Sequence, residues 1–117
     1  MNWIAIKSES DLNQLIEFSF QTEFGVAIFK HSTRCSISSV AKTRLSTFWN
    51  FGEELPIYYL DILSFRNISN LIVEKLEVAH ESPQLIIIKN GKAIYNVSHM
   101  GISVKSIKLA LELSFRN

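Results

Sequence analysis

Apolar residues fall along this chain in two rhythms, one helical and one extended. Trp3 to Ile6 forms a short apolar segment that reads as a strand. Leu12, Leu15, Ile16 and Phe18 then recur at helical spacing. Ser8 or Ser10 can cap the open amides of that helix, and Glu9 and Asp11 suit its positive end. After Gly25, the run Val26-Ala27-Ile28-Phe29-Lys30 predicts a buried strand. Ile37, Val40, Ala41, Leu45 and Phe48 mark the face of a second helix that follows Cys35, runs to Asn50 and stops at Gly52. Pro56 introduces a strand over Ile57 to Asp61, and Ser64 to Leu76 reads as a helix with Ile68, Leu71, Ile72 and Leu76 on its apolar side. Gln84 to Lys89 and the alternating Lys92 to Ser98 are strands joined at Asn90-Gly91, two residues that tolerate positive φ in a hairpin turn. A last helix starts near Ser103 and carries Val104, Ile107 and Leu111, with Phe115 extending the face.

The order is β-α-β-α-β-α-β-β-α. Early βαβ units imply parallel strands joined by right-handed crossovers, and the hairpin adds an antiparallel pair. An α/β fold with a mixed central sheet and helices on both faces buries all these apolar stripes at once. That arrangement is similar to the thioredoxin layout.

The chain has 117 residues, nearly half of them apolar, which fits a single domain over 1–117 with one core. Twelve basic residues face eleven acidic ones and are scattered, so nothing points to nucleic acid. No apolar run approaches the roughly 18 residues of a membrane span, and the N-terminus lacks the pattern of a secretory signal. One unpaired cysteine argues against a disulfide-stapled secreted fold. The expectation is a cytoplasmic protein with reduced thiols and no membrane partner.

The candidate chemistry lies at Cys35, where a buried strand hands over to a helix. Open amides at a helix N-terminus and the helix dipole both favour a thiolate. Arg34 is adjacent, Lys30 and His31 lie just upstream, and no acidic residue occurs between Val26 and Asn50. A lone cysteine also occurs as a small buried hydrophobe, but polar residues Ser32 to Arg34 before it favour the reactive reading. Cys35 to Ser38 reads C-S-I-S. A dithiol oxidoreductase needs a second cysteine at position 38 to resolve a mixed disulfide within one chain. The Ser38 hydroxyl can donate a hydrogen bond to the Cys35 thiolate but cannot form a disulfide, so the chemistry expected is monothiol.

Pro83, after Ser82 and before a buried strand, reads either as a trans proline that opens the strand or as a cis proline in a tight entry turn. In thioredoxin-like folds a cis proline faces the catalytic cysteine, and the backbone of the residue before it pairs with bound substrate. Cys35 and Ser38 are thus the catalytic candidates, and Thr33, Arg34, Ser82 and Pro83 the substrate-binding ones. His31, His80 and His99 lack metal-ligand spacing, so no metal is expected. His80 and His99 read as surface or loop residues, and His31 as either a structural residue or a proton carrier. Trp3 and Trp49 read as packing residues.

The segment Phe29-Lys30-His31-Ser32-Thr33-Arg34-Cys35-Ser36-Ile37-Ser38 resembles the active-site segment of the YtxJ family, the monothiol bacilliredoxins of the bacillithiol system. That family typically reads FKHSTTCPIS, which agrees at eight of ten positions. His80-Glu81-Ser82-Pro83-Gln84 resembles the family's HESPQ segment, with Lys89-Asn90-Gly91 and Ser98-His99 following. The resemblance implies a thioredoxin-like fold, Cys35 as nucleophile and Pro83 in cis. It implies no tightly bound cofactor. A low-molecular-weight thiol such as bacillithiol would be the co-substrate, thiolated proteins the substrates, and bacillithiol or another redoxin the regenerant. Arg34 stands where the family often has Thr and could meet the malate carboxylates of bacillithiol. Ser36 stands where it often has Pro, which removes a residue that favours the first helical position.

Two other readings of the same residues are a non-catalytic thioredoxin-like binding module, in which the thiol is incidental, and a redox sensor in which Cys35 is modified to switch a partner.

Overall fold

The computed structural model describes residues 1–114; Phe115, expected on the last apolar face, lies outside them. The elements are β1 (Trp3–Ala5), α1 (Glu9–Phe18), β2 (Val26–His31), α2 (Ser36–Phe48), β3 (Ile57–Asp61), α3 (Arg66–Leu76), β4 (Gln84–Lys89), β5 (Lys92–Ser98) and α4 (Val104–Ser114). Short 3-10 turns occupy Gly52–Glu54 and His99–Gly101.

The sheet runs β1-β3-β2-β4-β5. β1 and β2 are parallel to β3, whereas β4 is antiparallel to both β2 and β5. β2 is therefore central, and all six of its residues are buried. Strand alternation splits the core into two layers. Val26 and Ile28 pack with Leu12 and Leu15 of α1 and Ile68 and Ile72 of α3. Ala27 and Phe29 pack on the opposite face with Ala41 and Leu45 of α2 and Ile107 and Leu111 of α4.

Local chemistry explains the element ends. Ser8, rather than Ser10, caps α1: its hydroxyl accepts from the Asp11 amide at 3.1 Å. The Asp61 carboxylate accepts from the amides of Leu63 and Ser64 and from the Ser64 hydroxyl, so these residues form a turn and α3 starts only at Arg66. Gly25 (φ +91°) lies so close to β4 that a Cβ there would stand 2.0 Å from the Ile88 carbonyl oxygen. Asn90 and Gly91 both take positive φ in the β4–β5 turn.

The phase of α2 differs from the expectation. Its buried stripe is Ser38, Ala41 and Leu45, while Ile37, Val40 and Phe48 are exposed. Two stripes one residue apart both carry apolar side chains, and spacing does not say which faces the sheet. The helix also ends at Phe48, before Gly52, which instead opens a 3-10 turn with φ +61°.

Candidate functional site

β2 ends at His31, and Ser32 to Arg34 turn the chain into α2. The Cys35 amide donates to the Ser32 carbonyl at 3.1 Å, closing that turn. Cys35 is the N-cap residue of α2, extended at φ −107° and ψ 119°, and its carbonyl accepts from the Ser39 amide at 3.1 Å to open the helix. Among the described residues no side chain caps this N-terminus, and its first turn carries no acidic residue. Cys35 is partly exposed, so its thiol is not sealed within the core. The first-turn amides of such a helix have no intrahelical acceptor and are the local source of positive potential.

Ser38 is fully buried one turn later. Its Oγ accepts from the Ser32 amide at 3.0 Å and lies 2.6 Å from Nδ1 of His31. The hydroxyl, which the sequence reading had as able to donate to the Cys35 thiolate, is paired with Ser32 and His31 beneath the loop, and among the described residues it makes no hydrogen bond to Cys35. The reason is the phase of α2, which turns position 38 toward β2. His31 is buried, with its ring stacked on Phe29 at 5.6 Å between centroids. Burial holds its imidazole below the usual range; the Lys42 cation adds to this and the Asp61 carboxylate opposes it. Lys42, on α2, lies 5.4 Å and 5.8 Å above the rings of Tyr59 and Trp3.

Thr33 and Arg34 are exposed. Arg34 makes no hydrogen bond or ion pair among the described residues, so its guanidinium is available to an anion. Lys30, expected to add to the potential around Cys35, goes elsewhere. Alternation along β2 turns it to the α1–α3 face, where Nζ lies 3.1 Å from Nδ1 of His80. Burial pushes its amine down to about 8. His80 is also 3.4 Å from the Ser69 hydroxyl. Sequence spacing gave no sign of this pair or of Lys42 beside His31. Both need side chains from separate elements, brought together only by the packed sheet.

The Ser82–Pro83 bond is cis. The β2–β4 register pairs Lys30 with Gln84, so the next step along brings Pro83 level with His31 and the start of the Cys35 loop. The Pro83 carbonyl accepts from the His99 amide at 3.0 Å, and His99 Nε2 lies 3.4 Å from the Glu81 carboxylate. The Ser82 hydroxyl is enclosed and has no hydrogen-bond partner among the described residues. Thr33, Arg34 and Cys35 thus sit on one loop, and Ser82 and Pro83 on the strand entry next to it.

Solved structures share this architecture. A candidate oxidoreductase with a thioredoxin fold is 32% identical over 92% of each chain, with a TM-score of 0.79. Thioredoxin from Malassezia sympodialis (Mala s 13) is 16% identical, covering 96% of this chain and 90% of that one at a TM-score of 0.73. Thioredoxin O1 from Arabidopsis thaliana, in the oxidised state, is 17% identical over 97% of each chain at a TM-score of 0.68. These last two establish the fold alone. The sequence model of the monothiol bacilliredoxin BrxC family matches residues 4–107, a span that contains the Cys35 loop, the cis-proline turn and strands β2 to β5. On that match, this chain belongs to the monothiol bacilliredoxin family of thioredoxin-fold redox proteins.

Proposed function

We propose that this protein removes a small thiol of the bacillithiol type from protein mixed disulfides, with Cys35 as the nucleophile. The observation that carries the reading is a partly exposed cysteine at the uncapped N-terminus of α2, with serine rather than cysteine one turn on. Open amides there stabilise a thiolate, and Ser38 cannot resolve a disulfide.

The Cys35 thiolate attacks the small-thiol sulfur of the substrate. A new disulfide forms between Cys35 and the small thiol, the old one breaks, and the protein leaves as a thiolate that takes a proton from water. A second small-thiol molecule, as its thiolate, attacks the adduct. It departs as the oxidised dimer and returns the Cys35 thiolate. Net, one protein thiol is freed and one small-thiol disulfide is formed.

Exposed Arg34 and Thr33 would face the carboxylates or polar groups of the small thiol, and Arg is suited to a bidentate carboxylate contact. The backbone of Ser82, beside cis Pro83, would pair with an extended substrate segment as a short added strand. Intact-mass analysis tests the reading. After incubation with a bacillithiolated model protein, the wild type should carry one bacillithiol adduct on Cys35, and the model protein should be freed. Freed model protein with Cys35→Ser, or no adduct on the wild type, would refute it.

A further inference from the structure

Lys30 lies on the central strand β2 and has no exposed surface. Burying an amine is costly, and a methionine would fill the slot without that cost. What the lysine adds is one polar contact: its Nζ lies 3.1 Å from Nδ1 of His80. The amine titrates at about 8, so at neutral pH it is mainly an ammonium, with three donors and no acceptor. Nδ1 of His80 is then the acceptor. The Ser69 hydroxyl, at 3.4 Å, is a second and longer neighbour of the same nitrogen.

This bond holds the approach to cis Pro83. Residues 77–83 lie between α3 and β4, outside any helix or strand. The β2–β4 ladder ends at the Lys30–Gln84 pair and does not reach them. Gln84 shapes the segment from within: its side-chain amide donates to the Ala79 carbonyl at 3.2 Å, and its Oε1 accepts from the Glu81 amide at 3.4 Å. From the β5 side, the His99 amide donates to the Pro83 carbonyl, and the His99 ring lies against the Glu81 carboxylate. From the β2 side, the hydrogen-bonding anchor among the described residues is Lys30, through His80. His80 is exposed and stands two residues before Ser82. Lys30 stands five residues before Cys35, on the strand that runs on into the cysteine loop.

We infer that Lys30 is a positioning residue for capture of the protein substrate: its amine, through His80, holds the Ser82 backbone in place relative to the Cys35 loop. The inference rests on the reading above, in which Cys35 attacks and the Ser82 backbone pairs with the substrate chain. A receiving edge already held in its bound shape needs no ordering on binding, and loosening it lowers apparent affinity by the fraction that remains competent. The small thiol brings no extended chain to Ser82, so its attack on the Cys35 adduct does not depend on the anchor.

Three variants test this: Lys30→Met, His80→Leu and His80→Asn, whose side-chain oxygen can replace Nδ1 as acceptor. Lys30→Met and His80→Leu should each lower kcat/KM for a bacillithiolated model protein by roughly tenfold. The rate constant for bacillithiol attacking the Cys35 adduct should stay at the wild-type value in both. His80→Asn should restore kcat/KM, and Lys30→Met should be no less stable to urea than the wild type. An unchanged kcat/KM in Lys30→Met or His80→Leu, equal losses in both half-reactions, no rescue by asparagine, or a less stable Lys30→Met would overturn the inference. Backbone 15N relaxation needs no turnover. Order parameters at His80, Glu81 and Ser82 should fall from about 0.85 in the wild type toward about 0.6 in Lys30→Met and His80→Leu. Equal values in all three proteins would overturn the anchor. The absence of an adduct on the wild type would instead count against Cys35 as nucleophile, and the order parameters would still decide whether Lys30 holds the turn.

Discussion

The amine of Lys30 lies 3.1 Å from Nδ1 of His80, on the opposite side of the sheet from α2, and Lys30 has no exposed surface. A buried ammonium is costly, and burial lowers the Lys30 amine from 10.5 to about 8. Between those two values the unfolded chain holds a proton that the folded chain has lost, so stability should rise with pH across that window. Below about 8 both states are protonated and the folded state bears the full cost. The span corresponds to roughly 3 kcal/mol. Urea denaturation of the wild type relative to Lys30→Met should show this gain between pH 8 and 10.5. A difference that stays flat or falls over that range would contradict it.

On the acid side the sign is the same for the histidines. His31 and His80 are both held below 6.5, chiefly by burial. The folded state resists protonating them, so stability is fully present above 6.5 and falls as pH drops through the window beneath it. The denaturation midpoint should decline between about pH 7 and pH 5, a range above the usual carboxylate titrations. A His31→Phe, His80→Gln double variant should flatten that decline.

Replacing Ser38 by cysteine converts C-S-I-S into a dithiol motif. The variant should lose about 1–3 kcal/mol, because the Ser32 amide and His31 lose a strong partner in a buried site. It should also resolve its own adduct. Intact mass after exposure to a small-thiol disulfide should show a species lighter by two hydrogens instead of the persistent adduct of the wild type.

The phase of α2 gives a paired test. Leu45 has no exposed surface and Phe48 is 64% exposed. Leu45→Ala should cost about 2–5 kcal/mol, whereas Phe48→Gln should change stability by within about 0.5 kcal/mol. Equal losses would place Phe48 on the inner stripe, as its spacing alone suggested.

Gly25→Ala should destabilise by more than about 1 kcal/mol, since φ is +91° and the added carbon would meet the Ile88 carbonyl, a backbone atom with little freedom to move. The thermal midpoint reports this directly.

What the sequence determined by itself follows from local physics. Period and turn chemistry are properties of neighbouring residues, so the nine strands and helices of the described residues, the Asn90-Gly91 hairpin and the helix start after Cys35 were legible in one dimension. The same locality placed Cys35 at an open helix end and put serine one turn beyond it. The tertiary structure alone decided between stripes of equal hydrophobicity on α2, because that depends on which side the sheet occupies. It decided that Ser38 serves His31 and Ser32, and that Lys30 faces His80 across 50 residues of chain. It also set Pro83 level with His31, since only the β2–β4 register brings the two segments together. Hydrogen bonds and buried charges such as these depend on distances between elements, and those distances exist only once the layers have packed.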